Sequence, residues 1–247
     1  MGEAERLYSQ ILRMDGRNFF ACHMLGILRA QQGRTGEALD LIGAALKVNP
    51  DATEALSNYG NILTSQGRLL EALAAFDRAL QVGQPFAETH TNRANILWAL
   101  QRPQEALSGY LAALRLKPNL LEALIGSANV LRHFKRFDES LANSERALAL
   151  KPDSVEALNN RGATLSESRR YKEALACYDK ALAIRPDSAP VLRNRGATLL
   201  ALNQPAQALA DLDRALSIEP DNAEAISNRG IALSHLRRFD EALAAYA

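Results

Sequence analysis

Catalysis needs groups that move a proton, hold a metal or attack a carbonyl, and this 247-residue chain brings few of them together. Its histidines, His23, His90, His133 and His235, form no HxxxH pair and no cluster with cysteine or acid, so no metal set is legible. Cys22 and Cys177 lack a CxxC partner, which argues against a disulfide framework or structural zinc and for a reducing compartment. No serine or cysteine has a base and an orienting group at hand. The glycines do not form a phosphate-binding loop. These residues predict no enzyme, no metal and no cofactor.

What recurs instead is an amide beside a guanidinium. Residues 159–165 read NNRGATL, with TNRANIL at 91–97, RNRGATL at 193–199 and SNRGIAL at 227–233. An asparagine offers a carbonyl acceptor and two N–H donors. It can hold the C=O and N–H of an extended peptide without reading its side chains. An arginine brings a permanent cation on an apolar stem, suited to bridging packed surfaces.

The elements that position these groups follow from a 34-residue period. Pro50, Pro118, Pro152, Pro186 and Pro220 fall on one ladder, with Pro85 one residue off its rung. Alanine recurs at 38, 72, 106, 174, 208 and 242 and at 45, 79, 113, 147, 181 and 215. Glycine recurs at 26, 60, 162, 196 and 230, with Ala94 and Ala128 in the gaps. Such a period is the signature of stacked helix–turn–helix units, with small residues where helices approach and proline after the second helix. The pattern resembles the tetratricopeptide repeat family along essentially the whole chain. The resemblance implies an all-α fold, a right-handed superhelical solenoid of antiparallel helix hairpins whose first helices line a concave surface. Six complete units are read at 19–222, beginning at residues 19, 53, 87, 121, 155 and 189. Residues 1–18 read as the second helix of a truncated unit, and 223–247 as a partial seventh. Both ends fall inside a repeat and so lack the polar caps of a solenoid. The expectation is a fragment of something longer, or a chain that self-associates end to end.

At 100° per residue, positions 3, 4, 7, 8, 10, 11 and 14 of a first helix share the packed arc, and positions 2, 5, 6, 9, 12 and 13 the opposite one. Arginine at position 7 therefore points inward, at 93, 161, 195 and 229. Sixteen residues earlier stand Asp77, Glu145, Asp179 and Asp213. Where position 7 is Leu25, Tyr59 or Ser127, the residue sixteen earlier is Ser9, Gly43 or Leu111. The spacing predicts Arg93–Asp77, Arg161–Glu145, Arg195–Asp179 and Arg229–Asp213 ion pairs between neighbouring repeats.

The amides point the other way. Position 6 carries Asn58, Asn92, Asn160, Asn194 and Asn228, and position 9 adds Asn61, Asn95 and Asn129. Helix interiors disfavour asparagine, so its recurrence on an open arc points to peptide binding. Trp98, Arg132 and His133, at positions 12 and 13, are candidate anchors giving that surface specificity. Glutamate at position 2 (Glu54, Glu88, Glu122, Glu156 and Glu224) disfavours an acidic tail and favours a neutral or mildly basic peptide. Within the family, the asparagine ladder resembles the repeat arm of O-linked N-acetylglucosamine transferases and their bacterial homologues. That resemblance implies that the position-6 asparagines bind a protein backbone, and that the chain could be the substrate-recruiting arm of a larger glycosyltransferase.

Charge and hydropathy bound the partners. With 29 basic and 28 acidic residues the formal charge is +1, no footprint for nucleic acid or an anionic membrane surface. No run of about 18 apolar residues exists to span a bilayer. The reading is a cytoplasmic protein-interaction module.

Overall fold

The computed structural model describes residues 2–83 and 86–244, so Pro85 lies outside the described residues. It contains fifteen helices and no strand among those residues. By internal contacts the chain divides into two compact units, residues 1–123 and 124–247. The first unit holds α1 (Glu3–Met14), α2 (Phe19–Gln31), α3 (Thr35–Val48), α4 (Thr53–Ser65), α5 (Leu69–Val82), α6 (Ala87–Ala99) and α7 (Pro103–Leu116). Helix α8 (Leu121–His133) spans the division. The second unit continues with α9 (Phe137–Leu150), α10 (Val155–Glu167), α11 (Tyr171–Ile184), α12 (Ala189–Ala201), α13 (Pro205–Ile218), α14 (Ala223–His235) and α15 (Phe239–Ala244). Within each unit consecutive helices pack on one another, and first helices also touch the next first helix, as α2 on α4, α4 on α6, α10 on α12 and α12 on α14.

Local signals set the helix ends. Asn18, Ser154 and Asn222 cap α2, α10 and α14, accepting the N–H of Ala21, Ala157 and Ala225 at 3.0, 3.3 and 3.0 Å. First helices end on a residue in the left-handed region at position 15. Gly33 and Gly67 do this without steric cost at φ 75° and 72°, while Gln101, Lys135, Arg169, Asn203 and Arg237 adopt it at 56–62°. The turn lets the following N–H reach back, as Arg34 N to the Arg29 carbonyl at 2.9 Å. Arginine at position 16 then clasps a glutamate three residues on, as Arg68 with Glu71. Arg102–Glu105, Arg136–Glu139 and Arg170–Glu173 repeat the clasp.

Small residues set how closely the helices pack. Ala38, Ala72, Ala106, Ala174 and Ala208 are fully buried, as are Ala45, Ala79, Ala113, Ala147 and Ala181. Position 8 faces a large side chain sixteen residues on: Gly60 faces Phe76, and Gly162 faces Tyr178. Some departures from the columns are polar. Arg29 occupies a position that is Leu63, Leu97 and Leu165 in other repeats, and it is buried there with Glu5 of α1 and Glu37 of α3 as ion partners. Ser140 and Ser144 stand in α9 where other repeats carry alanine and a large apolar or aromatic residue. The Ser140 hydroxyl lies 2.8 Å from the Ala128 carbonyl and 2.9 Å from Thr164 Oγ1, whereas Ser144 Oγ is buried with no hydrogen-bond partner. Ser144→Ala should therefore raise stability by about 1 kcal/mol, and Ser140→Ala lower it by about as much. Paired urea melts that move both variants in the same direction would refute this account.

Candidate functional site

The arginines of position 7 sit half-buried between a second helix and the following first helix. Arg93 Nε is 2.5 Å from Asp77, Arg161 Nη2 is 3.3 Å from Glu145, Arg195 Nη1 is 2.8 Å from Asp179, and Arg229 Nε is 2.6 Å from Asp213. Arg195 has a second partner that the spacing argument missed. Asp211 of α13, with a side chain 4% exposed, receives Nε at 2.7 Å and Nη2 at 3.0 Å. Burial pushes the Asp211 carboxyl above its ordinary range, and Arg195 pulls it partly back. Its signal in the sequence was an acid in a column that reads Ala75, Gly109 and Cys177 elsewhere.

Four of the position-6 asparagines are tied to a neighbouring repeat. Asn58 Nδ2 is 3.0 Å from His23 Nε2, Asn92 Nδ2 is 2.8 Å from Asn61 Oδ1, and Asn194 Nδ2 is 2.9 Å from Asn159 Oδ1. Asn160 Nδ2 is 3.4 Å from the Ile125 carbonyl. In each case the amide N–H reaches the preceding first helix. His23 is buried, and burial lowers its pKa, which keeps the ring neutral and Nε2 able to accept. The Oδ1 atoms of Asn58, Asn92, Asn160 and Asn194 accept no hydrogen bond among the described residues. At position 9, Asn95 Oδ1 accepts the Tyr110 hydroxyl at 2.5 Å and Asn129 Oδ1 accepts Arg132 Nη2 at 2.9 Å. Asn228 is half-buried on α14.

One expectation is corrected. Position 5 does not lie on an open arc throughout: His23, Thr91 and Ile125 are buried, whereas Ser227 is exposed. The helical wheel counted a helix against its own hairpin, whereas the next first helix also leans on that side. Ser57 and Thr89 hydroxyls meet at 3.0 Å, and Arg193 Nε reaches Glu224 at 3.1 Å across such contacts.

The anchor candidates differ in exposure. Trp98 is half-buried in α6. Arg132 is held by Glu167 as well as Asn129. His133 is exposed, with its ring edge-on to Phe134 at 5.4 Å. In the first unit a cleft between α4 and α6 gathers Glu54, Asn58, Asn61, Phe86, Glu88 and Asn92. Lys117 donates to Glu88 at 2.8 Å and holds that carboxyl below the usual range.

Three family models described as tetratricopeptide repeat match the chain, over residues 23–88 and 91–143, 119–187, and 163–225. This chain is a tetratricopeptide-repeat protein. Solved structures agree on the fold. A tetratricopeptide repeat protein from Parabacteroides merdae is 19% identical with a TM-score of 0.76, over 99% of this chain and 91% of that one. YrrB, described as a tetratricopeptide-repeat protein with an unusual peptide-binding site, is 23% identical with a TM-score of 0.65, over 75% and 95%. The Cut9–Hcn1 hetero-tetramer of APC/C aligns at 15% identity and a TM-score of 0.81, covering 94% of this chain and 46% of that one. No curated protein gives a significant match.

Among the described residues no cluster of His, Cys, Asp and Glu could hold a metal ion. Burial pushes the Cys22 and Cys177 thiols up, away from the reactive thiolate, although Arg161 Nη1 lies 3.7 Å from Cys177 Sγ. No helix among the described residues is long and apolar enough to cross a membrane.

Proposed function

We propose that this tetratricopeptide-repeat chain is a non-catalytic scaffold that binds extended protein segments along its first helices, using the position-6 asparagines. One observation carries the reading: Asn58, Asn92, Asn160 and Asn194 spend an N–H on the preceding repeat, and among the described residues their Oδ1 atoms accept no hydrogen bond. An amide oriented by one bond is a prepared acceptor for the backbone N–H of a peptide. Glutamates 54, 88, 156 and 224, all exposed, favour neutral or basic segments over acidic ones. The peptide-binding site named for YrrB is an analogy of fold in the same direction.

The test uses peptides selected from a random display library on the whole protein. Asn58→Ala with Asn92→Ala, and separately Asn160→Ala with Asn194→Ala, should weaken peptides held by the altered unit about tenfold, roughly 1.4 kcal/mol. Melting curves on the same variants separate lost binding from lost inter-repeat ties. Affinity that survives all four changes in a folded protein would remove the asparagines from the site.

A further inference from the structure

We propose that the α4–α6 cleft of the first unit is a subsite for an arginine side chain of the bound segment, its guanidinium seated between the Glu54 carboxylate and the Phe86 ring. The subsite rests on the peptide-binding reading above and gives it a side-chain preference in one place.

At the residue before a first helix, Asn18, Ser154 and Asn222 cap with a side-chain bond, whereas Ala52 and Ser188 make none. The α6 N-cap is Phe86, whose side chain makes no cap hydrogen bond and is 51% exposed. Phenylalanine cannot cap, so the helix start loses a favourable contact and water gains an aromatic face. The ring lies in one cleft with Glu54, Asn58, Asn61, Glu88 and Asn92.

Charge in the cleft is one-sided. No lysine or arginine lines it, Glu54 makes no ion pair among the described residues, and the one nearby cation bonded to a lining carboxylate is Lys117 on Glu88. A carboxylate beside an exposed aromatic ring suits a guanidinium. Its planar fork can meet the carboxylate while its face stacks on the ring, and its stem covers apolar surface. Lysine supplies the charge without the planar stack and fits less well. Asn58 and Asn92 line the same cleft and would hold the adjoining backbone.

The experiment extends the display selection. Peptides chosen on the whole protein should be enriched in arginine at one position, and those chosen on Glu54→Gln should lose the enrichment. For a synthetic peptide from the first selection, arginine to alanine should cost about tenfold in affinity on the parent protein and little on Glu54→Gln. Lysine at that position should fall between. Phe86→Asn should raise the melting midpoint by supplying the cap that Asn18 and Asn222 make while weakening the arginine peptide, a divergence that a purely structural phenylalanine would not produce. Peptides that depend on Asn58 and Asn92 yet show neither arginine enrichment nor coupling to Glu54 would overturn the subsite and leave the binding face intact. Selected peptides indifferent to those asparagines, or a selection yielding no binder, would overturn both.

Discussion

Arg195→Met should destabilise the second unit by about 3 kcal/mol, because it leaves a buried carboxylate with no partner. Arg195 bridges Asp179 on α11 and Asp211 on α13, and the Asp211 side chain is 4% exposed. The cost comes from the desolvated acid that remains, more than from the net worth of the pair. Asp211→Asn should therefore rescue much of the loss in the Arg195→Met background. Urea melts followed by helical signal measure both effects, and a loss that Asp211→Asn fails to rescue would place it in the methionine's packing.

The same pair predicts a pH dependence. Burial raises the Asp211 carboxyl above its ordinary value, so the folded chain holds that proton more tightly than the unfolded one. This contribution is fully present below the ordinary carboxylate range and is lost as pH rises through the elevated value. Removing Arg195 takes away the main opposing pull, lifts the value further and carries the loss to higher pH. Asp211→Asn should abolish the dependence in either background.

Gly162→Val should cost about 3 kcal/mol for a steric reason. A Cβ added at Gly162 would lie 2.5 Å from Tyr178 Cε1 and 2.9 Å from its Cδ1, inside any ordinary contact. Tyr178 is 1% exposed and belongs to the core with Leu158, Leu165 and Leu192, so it has nowhere to retreat. Trimming it should relieve the clash: Gly162→Val with Tyr178→Ala should lose less than the sum of the two single changes, by about 1–3 kcal/mol. Gly36 is the control. An added Cβ there meets nothing within 4 Å, so Gly36→Ala on α3 should stabilise by a fraction of 1 kcal/mol. Equal effects at the two glycines would mean that helix propensity, not the tyrosine, governs Gly162.

The columns of small residues made the hairpins legible from the sequence, because each column reports a contact that every repeat must remake. The offset of sixteen between arginine and acid was legible for the same reason. Asp211 was not, since it partners one arginine in one repeat and breaks a column instead of forming one. Position 5 was misjudged because a helical wheel knows a helix's own hairpin and not the neighbour that stacks beside it. The direction of the asparagine amides was out of reach, because their acceptors are as unlike as an imidazole, a carbonyl and another amide: His23, Ile125 and Asn61 or Asn159. Phe86 was visible as a letter but carried no signal until α6 was seen to begin just after it.

The bonds between repeats run at constant sequence offsets, sixteen for arginine to acid and thirty-five for three of the asparagine ties. Copying one whole repeat keeps these offsets in register, whereas an insertion of any other length between the partners separates them. The array can therefore grow or shrink by whole units without redesign. A copied unit that keeps its position-6 asparagine and position-7 arginine, as 155–188 does, brings its own tie to the last and one more amide oxygen. Its length then acts as a ruler: on the binding role proposed above, the number of repeats sets how long a segment the protein can hold, independently of which side chains that segment carries.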